Sequence, residues 1–433
     1  MPIITNLSLG GGEVTVANTF STPVNVSSTI SIPDDKDRMV YVTGTSSWVS
    51  RSTPTSNNFR SVCWSPERGL FVAVSNTGTV SDKVMTSPDG ITWTSRSVPA
   101  SNNSWFSVCW SPERGLFVAV ANSGASFDIV MTSPDGITWT SRSSAQNNNF
   151  NSVCWSPERG LFVAVAATGS AGGVITSPDG ISWTLRFASA LNAWQSVCWS
   201  PERGLFVAVS SSGTANRVMT SPDGITWTSR NTTGLDSLWR FVCWSPERGL
   251  FVAVASSGTN QIMTSPDGIT WTARTAPNTN TWYSVCWSSE MGIFVAVAAG
   301  TNGVMTSPDG ITWTARASLA SSQDWRCVCW SPQLGEFVAT ALTGTLNRVM
   351  TLDLPQLNST PIQNGQKESQ KLILVGTDGY NAPEVKTIGN IESRKNSNDK
   401  CLVLGSQKRF EFRWDSVNSR WVRQKPKKNK TGY

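Results

Sequence analysis

The fold is decided by two neighbouring stretches. The first is Trp105-Phe106-Ser107-Val108-Cys109-Trp110-Ser111-Pro112-Glu113-Arg114-Gly115-Leu116-Phe117-Val118-Ala119-Val120. The second is Ile129-Val130-Met131-Thr132-Ser133-Pro134-Asp135-Gly136-Ile137-Thr138-Trp139-Thr140-Ser141-Arg142. Residues 105–110 alternate between two faces, as a strand does. Ser111 to Gly115 form a turn, with Pro fixing φ and Gly free to take φ > 0. Leu116 to Val120 are almost continuously apolar, which suits a strand covered on both faces. A third strand over 129–132, a turn at 133–136 and a fourth strand over 137–142 complete a four-stranded unit.

The unit recurs seven times between Phe59 and Asp353, with its Val-Cys-Trp tryptophan at positions 64, 110, 155, 199, 244, 287 and 330. The intervals of 43 to 46 residues match a four-stranded propeller blade and exclude short solenoid repeats. The seventh unit stops at Asp353-Leu354-Pro355 without a fourth strand, while Ser46-Ser47-Trp48-Val49-Ser50-Arg51 supplies a matching piece at the other end. The expected fold is therefore all-β: a seven-bladed β-propeller closed by an N-terminal strand, plus a small β-rich C-terminal module. The expected boundaries are 1–37 as an N-terminal attachment segment, 38–355 as the propeller, 356–424 as the C-terminal module and 425–433 as a basic tail.

Composition limits the chemistry. The 433 residues include no histidine, which removes most zinc sites and most general-base catalysis. No metal and no cofactor is expected. Seven of the nine cysteines (Cys63, Cys109, Cys154, Cys198, Cys243, Cys286 and Cys329) occupy one position per repeat and read as small buried residues. The net charge of +6 is matched by Arg420, Arg423, Lys425, Lys427, Lys428 and Lys430. That run reads as a solvated end, and no nucleic-acid partner is expected. Neither a signal pattern nor a membrane-spanning apolar run is present, so no membrane insertion is expected.

Comparison of the seven copies separates two faces. The turns after the first and third strands are nearly invariant: Ser-Pro-Glu-Arg-Gly in five copies and Ser-Pro-Asp-Gly in six. The loops on the other face differ in every copy and are polar. Binding residues commonly sit on loops carried by a rigid frame. One strand position varies between nearly constant neighbours: Arg60, Phe106, Asn151, Gln195, Arg240, Tyr283 and Arg326. With the first strand innermost, these residues line the mouth of the central channel, a mixed polar and aromatic surface suited to sugars. Together with Trp282 they are the candidate ligand-binding residues. No catalytic residue is assigned.

Ser-Pro-Asp-Gly-Ile-Thr-Trp resembles the Asp-box (BNR) hairpin of sialidase-type propellers, one residue shorter between Asp and Gly. The resemblance implies that Asp89, Asp135, Asp179, Asp223, Asp267 and Asp309 are structural turn formers. Sialidase-type enzymes use an arginine triad, a Tyr–Glu pair and an acid gathered on one face. Here the blade acids Glu67, Glu113, Glu158, Glu202, Glu247 and Glu290 lie in the scaffold-face turns with the six aspartates. Glycoside hydrolysis needs paired acids at a fixed separation, so an Asp-box glycosidase is argued against. Residues 358–424, with Leu372-Ile373-Leu374-Val375-Gly376 and Phe410-Glu411-Phe412-Arg413-Trp414-Asp415, look like β-rich modules of bacteriophage and large-DNA-virus tail fibres. The Cys-Trp-Ser-Pro repeats are similar to propellers of the same viruses. These resemblances imply a protein of the virion surface or a tail appendage; with the placement of the acids it reads as non-enzymatic, its variable loop face binding a host-surface glycan or other receptor. They imply further contacts with other virion proteins through the termini and a homo-oligomer, a trimer among the options. The alternative is a purely structural decoration or assembly protein.

Overall fold

The computed structural model describes residues 46–353, apart from 100–102, 125–126, 168–172, 318 and 320–322, together with the backbone of eight strands outside that span. Seven four-stranded antiparallel sheets follow one another around a ring. In blade 2 strand a is Ser104–Ser111, strand b Leu116–Ser123, strand c Val130–Ser133 and strand d Thr140–Arg142. Strand d is shorter than the sequence pattern predicts because one Asp135 carboxylate oxygen accepts from the N–H groups of Ile137 and Thr138 at 2.8 and 2.7 Å. Those two residues are thereby held in the turn. The same pair of bonds recurs at Asp89, Asp179, Asp223, Asp267 and Asp309. Gly136 completes this turn at φ +73°, and a Cβ there would lie 2.9 Å from Val72 of the preceding blade. Only glycine meets both demands.

Blade 7 is closed as expected. Ser47–Arg51 pairs antiparallel with Val349–Asp353, Ser47 opposite Asp353 and Arg51 opposite Val349. The Arg51 guanidinium also reaches the Asp353 carboxylate and donates to Thr351 Oγ1 at 2.8 Å. Trp48 takes the buried place that Trp93 or Trp139 takes elsewhere. No Ser-Pro-Asp-Gly turn precedes it, so its indole N–H lacks the glycine carbonyl that Trp93 uses at 2.9 Å.

The core lies between blades. The middle of each strand b is buried, as Phe117-Val118-Ala119-Val120 is, and packs against the next sheet. The Ser-Pro-Glu-Arg-Gly turn adds a latch. Indole N–H groups of Trp110, Trp155, Trp199, Trp244, Trp287 and Trp330 donate to Glu67, Glu113, Glu158, Glu202, Glu247 and Glu290 of the preceding blade at 2.6–2.7 Å. Trp64 donates to Gln333 at 2.6 Å, which carries the latch across the closing seam. The neighbouring arginine, as Arg114 on Trp155 at 5.7 Å, covers the same ring. The altered turns Ser288-Ser289-Glu290-Met291-Gly292 and Ser331-Pro332-Gln333-Leu334-Gly335 keep the acceptor and replace the cation.

The terminal regions differ from the expected division. Arg38–Val42, placed in the propeller by the sequence pattern, pairs in parallel with Lys371–Gly376. A six-stranded sheet runs in the order Glu13–Thr15, Arg38–Val42, Lys371–Gly376, Arg409–Asp415, Arg420–Arg423, Ile391–Glu392. The C-terminal strands thus share one sheet with the N-terminal segment, and the ring begins after Val42. Unlike Ser47–Arg51, Arg38–Val42 carries no copy of the repeat, so its pairing with the far end of the chain left no sequence signal. The basic tail 425–433 and the rest of 1–37 lie outside the described residues.

Candidate functional site

The site is built by a repeated irregularity in strand a. In all seven blades the pairing of strands a and b shifts register around the second aromatic-flanking residue, as between Phe59 and Ser61 or between Trp282 and Ser284. A β-bulge of this kind leaves one residue unpaired and re-aims its side chain. The residues so placed are Arg60, Phe106, Asn151, Gln195, Arg240, Tyr283 and Arg326. All seven line one cavity of about 120 Å³, to which every blade contributes, so it lies on the ring axis. Strand a starts where the variable loops end, which puts the cavity at the loop-face mouth of the channel.

Trp282 does not belong to this set. It is 0% exposed and packs in the core between blades 5 and 6 with Val252, Val254 and Ile262. It precedes the bulge and faces the core, as Trp105, Trp194, Trp239 and Trp325 do at the same position. The candidate site therefore loses Trp282.

Neighbouring mouth residues hold one another. The Arg60 guanidinium stands 4.6 Å from the Phe106 ring centroid, and that of Arg326 stands 3.5 Å from Tyr283. Arg240 donates through Nη1 to Gln195 Oε1 at 3.1 Å and through Nε to Ser256 Oγ at 2.8 Å. Asn151 donates to the Trp194 carbonyl at 3.0 Å and accepts from Asn122 at 2.6 Å. Arg326 is paired with Asp324 at 2.6 Å. Burial first, and then repulsion from Arg326, lower Arg60 to about 10. Burial likewise lowers Arg240.

Sequence reasoning missed the strand-a residue that follows each mouth position. In five blades it is serine, whose hydroxyl accepts the next blade's valine N–H at 3.2–3.3 Å, as Ser61 does from Val108. Blades 5 and 7 carry Phe241 and Cys327 there, and both line the cavity. The signal was present in the repeat comparison, as two departures from an otherwise constant serine. The variable face is also less polar than its composition suggests, since Phe187 and Leu191 are 65% and 72% exposed in one loop.

The repeated acids and thiols are placed elsewhere. The six turn aspartates feel burial, which raises them, but hydrogen bonds from two backbone N–H groups and a serine hydroxyl outweigh it and hold them below 3.8. The repeat cysteines are free thiols, and burial pushes them up, Cys286 to about 12. Among the described residues no group of three or more His, Cys, Asp or Glu side chains could hold a metal ion. No described helix is long and apolar enough to cross a membrane.

No family model matches the chain, and no curated protein matches it. Solved structures do. Virginiamycin B lyase from Staphylococcus aureus superposes with a TM-score of 0.60 at 10% identity, covering 72% of this chain and 99% of the lyase. YCF48 from Cyanidioschyzon merolae gives 0.52 at 14% identity, covering 71% and 98%. The WD40 propeller domain of Doa1 gives 0.50 at 14% identity, covering 70% and 96%. At these identities the likeness is one of fold, and the chain is a seven-bladed β-propeller of the architecture these proteins share.

Proposed function

We propose that this chain is a non-enzymatic protein of a virion surface or tail appendage, whose propeller binds a host-surface glycan or other receptor at the loop-face mouth of its channel. One observation carries the reading. The seven strand positions that vary among the repeats converge on a single cavity, while the position before them stays Phe or Trp and the one after them is serine in five of seven blades. A ring that served only as a frame would have less reason to carry five residue types at its seven innermost positions while their neighbours change so little. The Ser-Pro-Asp-Gly turns fit an Asp-box role in holding the scaffold. The viral setting rests on two resemblances, the tail-fibre-like pattern of the C-terminal strands and the Cys-Trp-Ser-Pro type of the repeats.

Twelve blade acids are engaged away from the mouth, six glutamates in the tryptophan latches and six aspartates in the turns, and the loop-face Asp324 is paired with Arg326. The similar lyase is catalytically inactive when one histidine is replaced by alanine, and this chain has no histidine. Rings of this fold are also found with ligands, as YCF48 is with D1 peptide. That is a fold-level analogy, which speaks to capacity and not to identity.

A structural assembly role is favoured by a different feature. Ile91, Ile137, Ile181, Ile225, Ile269 and Ile311 are each 45–47% exposed on the scaffold face. A glycan array with the full chain, scored for bound protein and released sugar, tests the two readings. Saturable binding without release is expected. Release of sugar would overturn the non-enzymatic reading, and absence of binding to every glycan would favour assembly through the scaffold face.

A further inference from the structure

The mouth cavity has a definite sign. Three of its lining residues carry a full charge, and all three are guanidiniums: Arg60, Arg240 and Arg326. Among the described residues no carboxylate lines it. Asp324 balances one of the three from behind Arg326, so the mouth keeps an excess of two positive charges. Each guanidinium is already fixed by a neighbour: Arg60 over Phe106, Arg240 on Gln195 and Ser256, Arg326 over Tyr283. Their donors are therefore oriented before any ligand arrives, which lowers the ordering cost of binding.

Two observations leave the cluster able to take a further anionic partner, although Asp324 already engages Arg326. Arg326 Nε–H is buried and has no acceptor, although buried donors are nearly always satisfied. The like charges also crowd one another, since Arg326 and Arg240 both disfavour the charge on Arg60. An anion seated among them would relieve both. Guanidinium groups suit carboxylate and sulfate oxygens through paired N–H donors.

Size narrows the occupant. A cavity of about 120 Å³ is well below the roughly 300–1,000 Å³ of sites that enclose a drug-sized ligand. It admits one functional group, with the remainder of the molecule lying over the loop face.

We infer that the channel mouth seats the acidic group, carboxylate or sulfate, of an acidic glycan among Arg60, Arg240 and Arg326. The carrier rests on the receptor reading proposed above, while the charge of the seated group does not.

The test uses the full chain in two formats. An array of matched neutral, carboxylated and sulfated oligosaccharides is probed at low and at physiological salt. In parallel, thermal unfolding is followed with sodium acetate, sodium sulfate and sodium chloride. Arg60→Gln and Arg240→Gln are compared with wild type and with Arg96→Gln, whose side chain bonds Thr86 on an outer strand. Wild-type thermal stability in the variants shows that they fold. The expected result is preference for acidic over neutral glycans by about tenfold or more, weakened by salt. Each mouth variant should lose about ten- to a hundred-fold, the worth of one charge-assisted hydrogen bond. The carboxylated and sulfated arms identify the group.

Neutral glycans bound as tightly as acidic ones, with the mouth variants indifferent, would overturn the inference and leave the receptor reading standing. Suppose instead that no glycan binds, yet acetate or sulfate stabilises wild type and not Arg60→Gln. The anion seat then stands and the glycan reading falls. No glycan binding and no difference between wild type and variants in any salt would overturn both.

Discussion

Trp282 and Tyr283 are neighbours in the chain and face opposite environments. Trp282 fills the core between two blades, while Tyr283 lies against Arg326 at the channel mouth. Trp282→Ala should cost about 3–5 kcal/mol of stability, read as a lower denaturation midpoint. Tyr283→Ala should leave that midpoint within about 1 kcal/mol of wild type, since no cavity is created in the core, and should weaken ligand binding. A loss of binding in Trp282→Ala without loss of stability would contradict the placement. The turn aspartates make a second prediction at this scale. Their carboxyls are held below 3.8 in the folded chain. The stability they contribute is therefore complete above the unfolded value and is lost as pH falls through each lowered folded value. The thermal midpoint should be flat from pH 7 to about pH 5 and fall below about pH 4. Asp135→Asn should show a shallower fall, and an unchanged slope would mean that this carboxylate contributes nothing through its charge.

The strands themselves were readable because each signals locally. Leu116-Phe117-Val118-Ala119-Val120 announces a strand covered on both sides, and Ser133-Pro134-Asp135-Gly136 announces the turn that follows strand c. The bulge in strand a was not readable. One unpaired residue leaves the apolar pattern almost untouched, so Trp282 and Tyr283 looked equally able to face the mouth. The latch was hidden for another reason. Glu113 sits in an exposed turn, and nothing near it in sequence shows that its partner is Trp155 of the next blade. Only the persistence of an acceptor where the rest of the turn changes, at Glu290 and Gln333, hints at it. Glu113→Ala should cost about 1–2 kcal/mol, from one hydrogen bond to a charged group with its donor left near the surface. Glu113→Gln should recover much of that, because Gln333 already performs the same bond at the seam. Equal losses in the alanine and glutamine variants would assign the effect to packing.

For the whole molecule the closure of the seventh blade matters most. Six blades draw all four strands from a contiguous stretch, and the seventh takes its outer strand from Ser47–Arg51. Closing it joins residues about 300 positions apart, as the Arg51 to Thr351 bond does. The entropy of that closure must be met before its contacts form. Until then the buried residues Val349-Met350-Thr351-Leu352 form an unpaired apolar edge, the kind of edge that recruits another chain. The two ends of the chain also share the terminal sheet, so Arg38–Val42 beside Lys371–Gly376 is positioned to bring the closing strand near its place. Replacing Trp48 by alanine empties the buried site that anchors this strand, and Trp139→Ala removes the equivalent tryptophan inside a contiguous blade. Both should lose about 3–5 kcal/mol at equilibrium, yet they should differ in kind. Trp48→Ala should raise hydrogen exchange selectively in Val349–Asp353 and favour concentration-dependent association, whereas Trp139→Ala should unfold without exposing a strand edge first. Uniform exchange across all seven blades in Trp48→Ala would show instead that the ring opens as one cooperative unit, with its covalent ends no weaker than any other blade interface.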